Sequence, residues 1–183
     1  MSNQSLLQTL VVSIEQYQAR TIHQPDLAQA GVLVAITDEI DPHLVLTRRA
    51  QHLNSHSGEV AFAGGKQDET DPDIVFTALR EAHEEINLSS QNVKIIGPLD
   101  QVVSRFGYVV TPIVGIIPAD VEFIANPDEL DAIFKVPLRF FLETEPHEYF
   151  ERGSFSIPGY HYEGFRIWGL TAMMITEMVN NHL

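Results

Sequence analysis

The stretch Gly64-Gly65-Lys66-Gln67-Asp68-Glu69-Thr70-Asp71-Pro72-Asp73, continued by Ile74-Val75-Phe76-Thr77-Ala78-Leu79-Arg80-Glu81-Ala82-His83-Glu84-Glu85-Ile86-Asn87-Leu88, decides the fold. It reads as a glycine turn, an acidic loop and an amphipathic helix. Asp71 or Thr70 is the expected cap, because a short side-chain oxygen accepts from the unpaired N–H groups of a first turn, and Pro72 at the first helical position forfeits no needed donor. With successive residues about 100° apart, Val75, Leu79, Ala82 and Ile86 form one apolar stripe suited to packing on a sheet. Asn87 tolerates the left-handed conformation that ends helices.

Glu81, Glu84 and Glu85 share a second face, turned away from that stripe, because positions three and four apart are neighbours on a helix. Carboxylates so close repel one another. A hard divalent cation, Mg²⁺ or Mn²⁺, is the natural compensation. The plain alternative is an acidic face that meets only water, with Arg80 easing the repulsion.

The glycine pair, the acidic loop, and Arg80-Glu81 followed by Glu84-Glu85 together resemble the Nudix box, written G-x5-E-x7-R-E-U-x-E-E-x-G-U with U aliphatic. Here the box spans about residues 65–88. It departs from the general pattern in three ways: Gly65 to Arg80 is one residue longer, Asp71 stands where the loop Glu would be, and Asn87 replaces the late Gly. The resemblance implies an α/β fold, an α/β/α sandwich with a central mixed sheet. It also implies a diphosphatase whose Glu81, Glu84 and Glu85, helped by the Gly64 carbonyl, hold the metal, while Arg80 orients a catalytic carboxylate.

Upstream, Ala30–Ile36 and His43–Arg49 are apolar runs on either side of the Asp38–Pro42 turn, expected to pair as a hairpin. The second run leads into Val45-Leu46-Thr47-Arg48-Arg49-Ala50, then Asn54, Gly58 and Phe62-Ala63-Gly64-Gly65. This segment is similar to the signature of the coenzyme A pyrophosphatase branch of Nudix enzymes, L-L-T-x-R-[SA]-x3-R-x3-G-x3-F-P-G-G. By that resemblance Thr47, Arg49, Gly58 and Phe62 accompany recognition of coenzyme A. Asn54 replaces the second Arg, a planar cation suited to phosphate, and Ala63 replaces Pro. The expected effect of Asn54 is weaker discrimination for a 3′-phosphate.

Farther out, residues from about Gln4 to Arg20 carry Leu6, Leu7, Leu10, Val11 and Ile14 at helical spacing, a packing helix without chemistry. Val93–Gly97 and Tyr108–Ile117 read as strands of the central sheet, joined by a loop in which Arg105 is a candidate for substrate phosphate. Asn126–Leu138 reads as an acidic turn and an aliphatic strand, resembling the Nudix segment that supplies a carboxylate from outside the box. Glu129 is therefore the candidate for a further metal ligand or for the base that takes a proton from water. His147 and His161 are lesser candidates for that base. Trp168 is expected to anchor the core ahead of a helix from about Thr171 to Asn180.

Composition narrows the classes. A chain of 183 residues with 44% hydrophobic content is expected to form one domain over its whole length. It contains no cysteine, so any metal site uses oxygen or imidazole. A net charge of −14 argues against a nucleic-acid surface, which a phosphate backbone would meet with repulsion. A small polyanionic nucleotide, coenzyme A or a derivative, remains compatible through local cations. No leader pattern or membrane span is visible, so a cytoplasmic protein with no membrane partner is expected, with a homodimer left open. Three alternatives stay beside the coenzyme A reading. They are hydrolysis of another nucleoside diphosphate derivative (NADH, ADP-ribose or dephospho-coenzyme A), a silent nucleotide-binding Nudix module, and a structural metal domain.

Overall fold

The computed structural model describes residues 5–52, 57–152 and 155–183. In chain order the elements are α1 (Leu6–Glu15), β1 (Ala28–Asp38), β2 (His43–Arg49), β3 (Val60–Ala61), β4 (Ala63–Lys66), α2 (Ile74–Ile86), β5 (Lys94–Pro98), β6 (Val102–Val103), β7 (Tyr108–Pro118), β8 (Leu130–Pro137), α3 (Leu138–Glu143), β9 (Glu148–Arg152), β10 (Phe155–Tyr162), β11 (Phe165–Ile167) and α4 (Gly169–His182).

β1 lies at the centre of a mixed sheet. It runs parallel to β7 from Ala28↔Tyr108 to Asp38↔Pro118, and antiparallel to β2 and β4. β2 also carries β3 and β8, and β7 carries β5 and β6, all antiparallel. Such a central strand is covered on both faces and so reads as a continuous apolar run. The expected β1–β2 hairpin is present, with Ile36 opposite Leu44.

The alternation of a strand splits its side chains between two cores. Leu33 and Ala35 of β1, with Val45, Ile113 and Ile117, pack under Ala78, Ala82 and Ile86 of α2. Val34 and Ile36, with Leu44, Leu46 and Val114, face the opposite core, shared with α1, α3 and α4. The result is the expected sandwich of helices about a mixed sheet. A second sheet, β9-β10-β11, joins the α4 side.

Several boundaries differ from the sequence reading. Ser5 caps α1 by accepting from the Gln8 N–H, and the helix ends at Glu15 rather than near Arg20. Beyond it the chain is taken by buried Asp100, whose Oδ1 accepts from the Tyr17 hydroxyl at 2.8 Å and from the Arg20 N–H at 2.7 Å. Gly64 and Gly65 form no turn; they lie in β4, with Gly64 opposite Val32 and Gly65 opposite Gly31. Trp168 is half-buried rather than central. It sits against the Phe150 ring and the Arg166 guanidinium just ahead of α4, which keeps it at the rim. No helix among the described residues is long and apolar enough to cross a membrane.

Candidate active site

α2 begins two residues later than a cap at Asp71 and Pro72 in the first helical position would place it. Asp73 is the cap, accepting from the Phe76 N–H at 2.8 Å, and the helix starts at Ile74. Asp71 is unavailable for capping because its carboxylate is buried and fully engaged. Oδ1 accepts from Arg80 Nε at 3.0 Å; Oδ2 accepts from Arg80 Nη2 at 3.0 Å, the Thr77 hydroxyl at 2.9 Å and the Asp68 N–H at 3.1 Å. The Arg80 hydrogen bonds above all hold the Asp71 carboxyl near a pKa of about 2, below its usual value, against the opposing effect of burial. Asn87 ends the helix at φ 56°, as its tolerance of the left-handed region suggests.

Arg80 is thereby fixed along its length. Its Nη1 donates to Glu81 Oε1 at 2.9 Å and to Glu84 Oε2 at 3.3 Å, and its Nη2 also donates to the Lys66 carbonyl at 3.1 Å. One guanidinium joins the acidic loop, the end of β4 and two carboxylates of α2.

The three glutamates do not share an exposed face. Glu84 is exposed, Glu81 is half-buried, and Glu85 retains only 4% of its surface. Glu85 points toward the sheet, where its Oε2 accepts from the Gly64 N–H at 3.1 Å and its Oε1 lies 3.9 Å from Arg49 Nη1. Burial pushes the Glu85 carboxyl up to about 8 against the pull of the Gly64 N–H, with the charges of Glu129 and Glu81 adding to the rise. Glu81 is raised in the same direction, again chiefly by burial, despite the hydrogen bond from Arg80.

β4 needs its glycines for space. A Cβ on Gly65 would stand 2.5 Å from the Glu81 carboxyl carbon, and one on Gly64 would stand 2.4 Å from the Gly31 carbonyl oxygen. Gly65 is the floor under the Glu81 carboxylate. Glu129 enters from the loop before β8. Its Oε1 accepts from Asn126 Nδ2 at 3.2 Å, while the Asn126 N–H donates to the Glu85 carbonyl and the Ala50 N–H to the Glu129 carbonyl, both at 2.8 Å. This loop is tied to the end of α2 and to the residue after β2, which sets Glu129 among the charges that raise Glu81 and Glu85.

Among the described residues, no three carboxylate or imidazole groups already converge at metal-ligand spacing. Arg80 and the Gly64 N–H hold the glutamates instead. The chemistry of the set nevertheless fits a hard divalent cation. Its donors are carboxylate oxygens, and Glu81 and Glu85 carry burial and like-charge penalties that a cation would relieve.

A model of the NUDIX domain matches residues 27–153. The chain belongs to the Nudix family.

Members of this family are hydrolases acting on phosphoric anhydride bonds, and they generally use divalent metal ions. The chain is 43% identical over 154 residues to the protein described as uncharacterized Nudix hydrolase NudL in Escherichia fergusonii, and equally to that of Shigella boydii. Each alignment covers 82% of this chain and 80% of the relative. Among solved structures, a C. elegans Ap4A hydrolase binary complex superposes with a TM-score of 0.52 at 15% identity, over 64% of this chain and 85% of that one. The Nudix domain of Shewanella oneidensis NrtR, complexed with ADP-ribose, gives 0.51 at 16% identity over 79% and 89%. These structures share the fold.

Within this Nudix fold the residues of the segment from Val45 to Gly65 divide in their placement. Arg49, at the end of β2, faces Glu85, and its Nε is buried with no hydrogen-bond partner among the described residues. Gly58, at φ +71°, makes the tight return toward β3, its N–H donating to the Arg49 carbonyl at 3.0 Å. Thr47 and Phe62 are used inward, contrary to their assignment to substrate. Thr47 is 2% exposed and donates to the Ala61 carbonyl at 3.1 Å; Phe62, 3% exposed, lies in the core on the α4 side. Asn54 falls outside the described residues. Arg105 lies on the turn before β7, where its Nη2 contacts Glu59 Oε1 at 3.0 Å. His147 and His161 both belong to the region of the small sheet, with His161 Nε2 3.3 Å from Glu148, and neither joins α2.

The residues missed from sequence are Asp71 as the anchor of Arg80, and Asn126 as the holder of Glu129. The first had a signal in the acidic residue at the loop position of the box; the second had none beyond an Asn-Pro turn.

Proposed function

We propose that this Nudix hydrolase cleaves the diphosphate bond of coenzyme A or a derivative, releasing 3′-phosphoadenosine 5′-phosphate and 4′-phosphopantetheine. The observation that carries the reading is Arg49. It belongs to the coenzyme A-type segment, stands 3.9 Å from the buried Glu85 of the Nudix helix, and keeps a buried Nε without a partner among the described residues. A guanidinium donor that no described residue satisfies, beside the acidic site, is suited to a diphosphate oxygen, because a buried donor left unmade is costly and Arg meets phosphate through paired N–H groups.

Glu81, Glu84 and Glu85, with Gly64, are the groups that would hold the cation. Bound Mg²⁺ or Mn²⁺ supplies neutralisation of the diphosphate charge and acidification of bound water. The protein supplies the rest. Asp71 pins Arg80, and Arg80 fixes the Glu81 and Glu84 carboxylates. Gly65 keeps the space over Glu81 open. Glu129, held by Asn126, accepts the proton of the water that attacks phosphorus. The anhydride P–O bond then breaks, and the leaving phosphate departs with Arg49 against its charge.

The test is a comparison of kcat/KM, with Mg²⁺ or Mn²⁺, over coenzyme A, acyl-coenzyme A, dephospho-coenzyme A, NADH, ADP-ribose and diadenosine polyphosphates. Preference for the coenzyme A compounds is expected. Preference for other diphosphates would discard coenzyme A and keep the Nudix chemistry, whereas binding without turnover of any of them would favour a silent module.

A further inference from the structure

β8 does not pair evenly with β2. Thr47 stands opposite Ile133 and Arg48 opposite Ala132, but the next residue, Arg49, stands opposite Leu130, so Asp131 is an extra residue in the ladder. Such a bulge bends its strand, increases the local twist and re-aims the side chains that follow. In an even ladder Asp131 would lie opposite Arg49, and Leu130 would turn to the other face and leave the α2 core, where it is 3% exposed. With the bulge, Leu130 takes the place opposite Arg49 and stays in that core.

Glu129 is joined to Leu130, so the register set at the bulge reaches it directly. Its carbonyl accepts from the N–H of Ala50, the residue after Arg49, at 2.8 Å, and its own N–H donates to the Asn126 carbonyl at 3.0 Å. In an even ladder Leu130 would stand beside Ala50 instead, and Glu129 would be displaced by one residue, about 3.3 Å along β2. A displacement of that size takes a general base out of hydrogen-bond reach of its proton. It would also part Glu129 from Glu81 and Glu85, on which its charge now bears.

The extra residue is itself held. Asp131 Oδ1 accepts from Arg48 Nε at 2.6 Å, and the Arg48 guanidinium lies 5.2 Å from the centroid of the Phe165 ring, which stacks on Phe134 of β8. Arg48 and Arg49 serve opposite faces of β2, the first meeting Phe165 of β11 and the second Glu85 of α2. The Arg48 and Asp131 side chains are 32% and 29% exposed, so their pair adds little to global stability. What it fixes is the place of the bulged residue.

Resting on Glu129 as the base in the reading above, we propose that Arg48 and Asp131 are positioning residues for it: their pair holds the bulge at Asp131, and the bulge sets Glu129 beside Glu81 and Glu85. Neither residue touches the reacting atoms. Loss of either frees the bulged residue, loosens the start of β8 and lets Glu129 drift, which costs turnover rather than substrate binding.

The test is steady-state hydrolysis, with thermal melts alongside, of coenzyme A or whichever of the diphosphate compounds above the full chain cleaves best. Arg48→Ala and Asp131→Ala are each expected to lower kcat roughly tenfold with KM unchanged, and the two together to lower it no further, because they act as one unit. Asp131→Asn, which keeps an oxygen for Arg48 Nε, is expected to retain most of kcat. In a Glu129→Gln background Asp131→Ala is expected to change nothing more, since a misplaced base is no worse than an absent one. Tm should fall by only about 2–4 °C in each alanine variant. An unchanged kcat in Asp131→Ala, or a further tenfold loss in the Glu129→Gln background, overturns the positioning while leaving Glu129 as the base. A Glu129→Gln variant with wild-type kcat, or a wild type that cleaves none of the compounds, overturns Glu129 as the base and the positioning with it.

Discussion

Arg80 meets Asp71 through two nitrogens at once, Nε to Oδ1 and Nη2 to Oδ2, each at 3.0 Å. The fork leaves Nη1 for Glu81 and Glu84, so a buried loop carboxylate sets the position of two carboxylates on the helix. The box loop is one residue longer than the general pattern and its carboxylate is one methylene shorter, and the fork still closes. Asp71→Asn keeps the shape but weakens the grip on Arg80. It is expected to lower kcat roughly 10²-fold with KM little changed, as misplacement of a reacting group does, and steady-state kinetics checks it. Because the Asp71 pKa is depressed from 3.8 to about 2, its contribution to stability is full above about pH 4 and is lost as the pH falls toward 2. Acid unfolding of Asp71→Asn should lack that component.

Gly64 and Gly65 are adjacent yet should fail differently. A methyl at Gly65 meets the free end of the Glu81 side chain, which can swing away; a methyl at Gly64 meets the Gly31 carbonyl oxygen and the Val32 Cα, which cannot. Gly65→Ala is expected to reduce kcat about 10²-fold with near-normal stability. Gly64→Ala is expected to destabilise by about 2–3 kcal/mol. Urea titration beside kinetics separates the two.

Glu85 gives the cation-free protein a distinct pH response. Its folded-state pKa is raised from 4.5 to about 8, so the stability associated with its protonated form is full below about pH 4.5 and is lost as the pH rises through about 8. In chelator, Tm should fall over that window, and Glu85→Gln should flatten the slope. Added Mn²⁺ should raise Tm most at the alkaline end, where the carboxylate is already deprotonated.

Thr47 and Arg49 sit two residues apart with different duties. Thr47→Val removes a buried hydrogen bond to Ala61 and is expected to cost about 1 kcal/mol of stability without moving KM. Arg49→Ala is expected to raise KM for coenzyme A at least tenfold. A thermal melt and a substrate titration on each variant check the pair.

Much of this was readable in advance where local pattern and tertiary need agree. β2 spans His43–Arg49 as its apolar run and flanking turn suggest, and Asn87 ends α2 in the left-handed region. Glu85 is buried although the stripe of Val75 and Leu79 puts it on another face of the helix. The packed face instead centres on Ala78 and Ala82, and Glu85, seven residues after Ala78, lies only about 20° from it. Small side chains carry little hydrophobic signal, yet they let a helix approach a sheet closely. Asp71 looked like a cap because capping and buried anchoring ask for the same residue type. Thr47 and Phe62 were tied to substrate by resemblance, whereas their burial is fixed by pairing with β3 and by the core behind it.

The α2 carboxylates are the centre of the proposed cation-dependent site for the diphosphate bond. The direct measurement is release of 4′-phosphopantetheine from coenzyme A as Mn²⁺ is titrated into chelator-treated protein, for wild type and the Glu81→Gln, Glu85→Gln double variant. Saturable release by wild type, reduced roughly a thousandfold or more in the variant, is the predicted result. Release that proceeds without the cation, or that survives in the double variant, would contradict it.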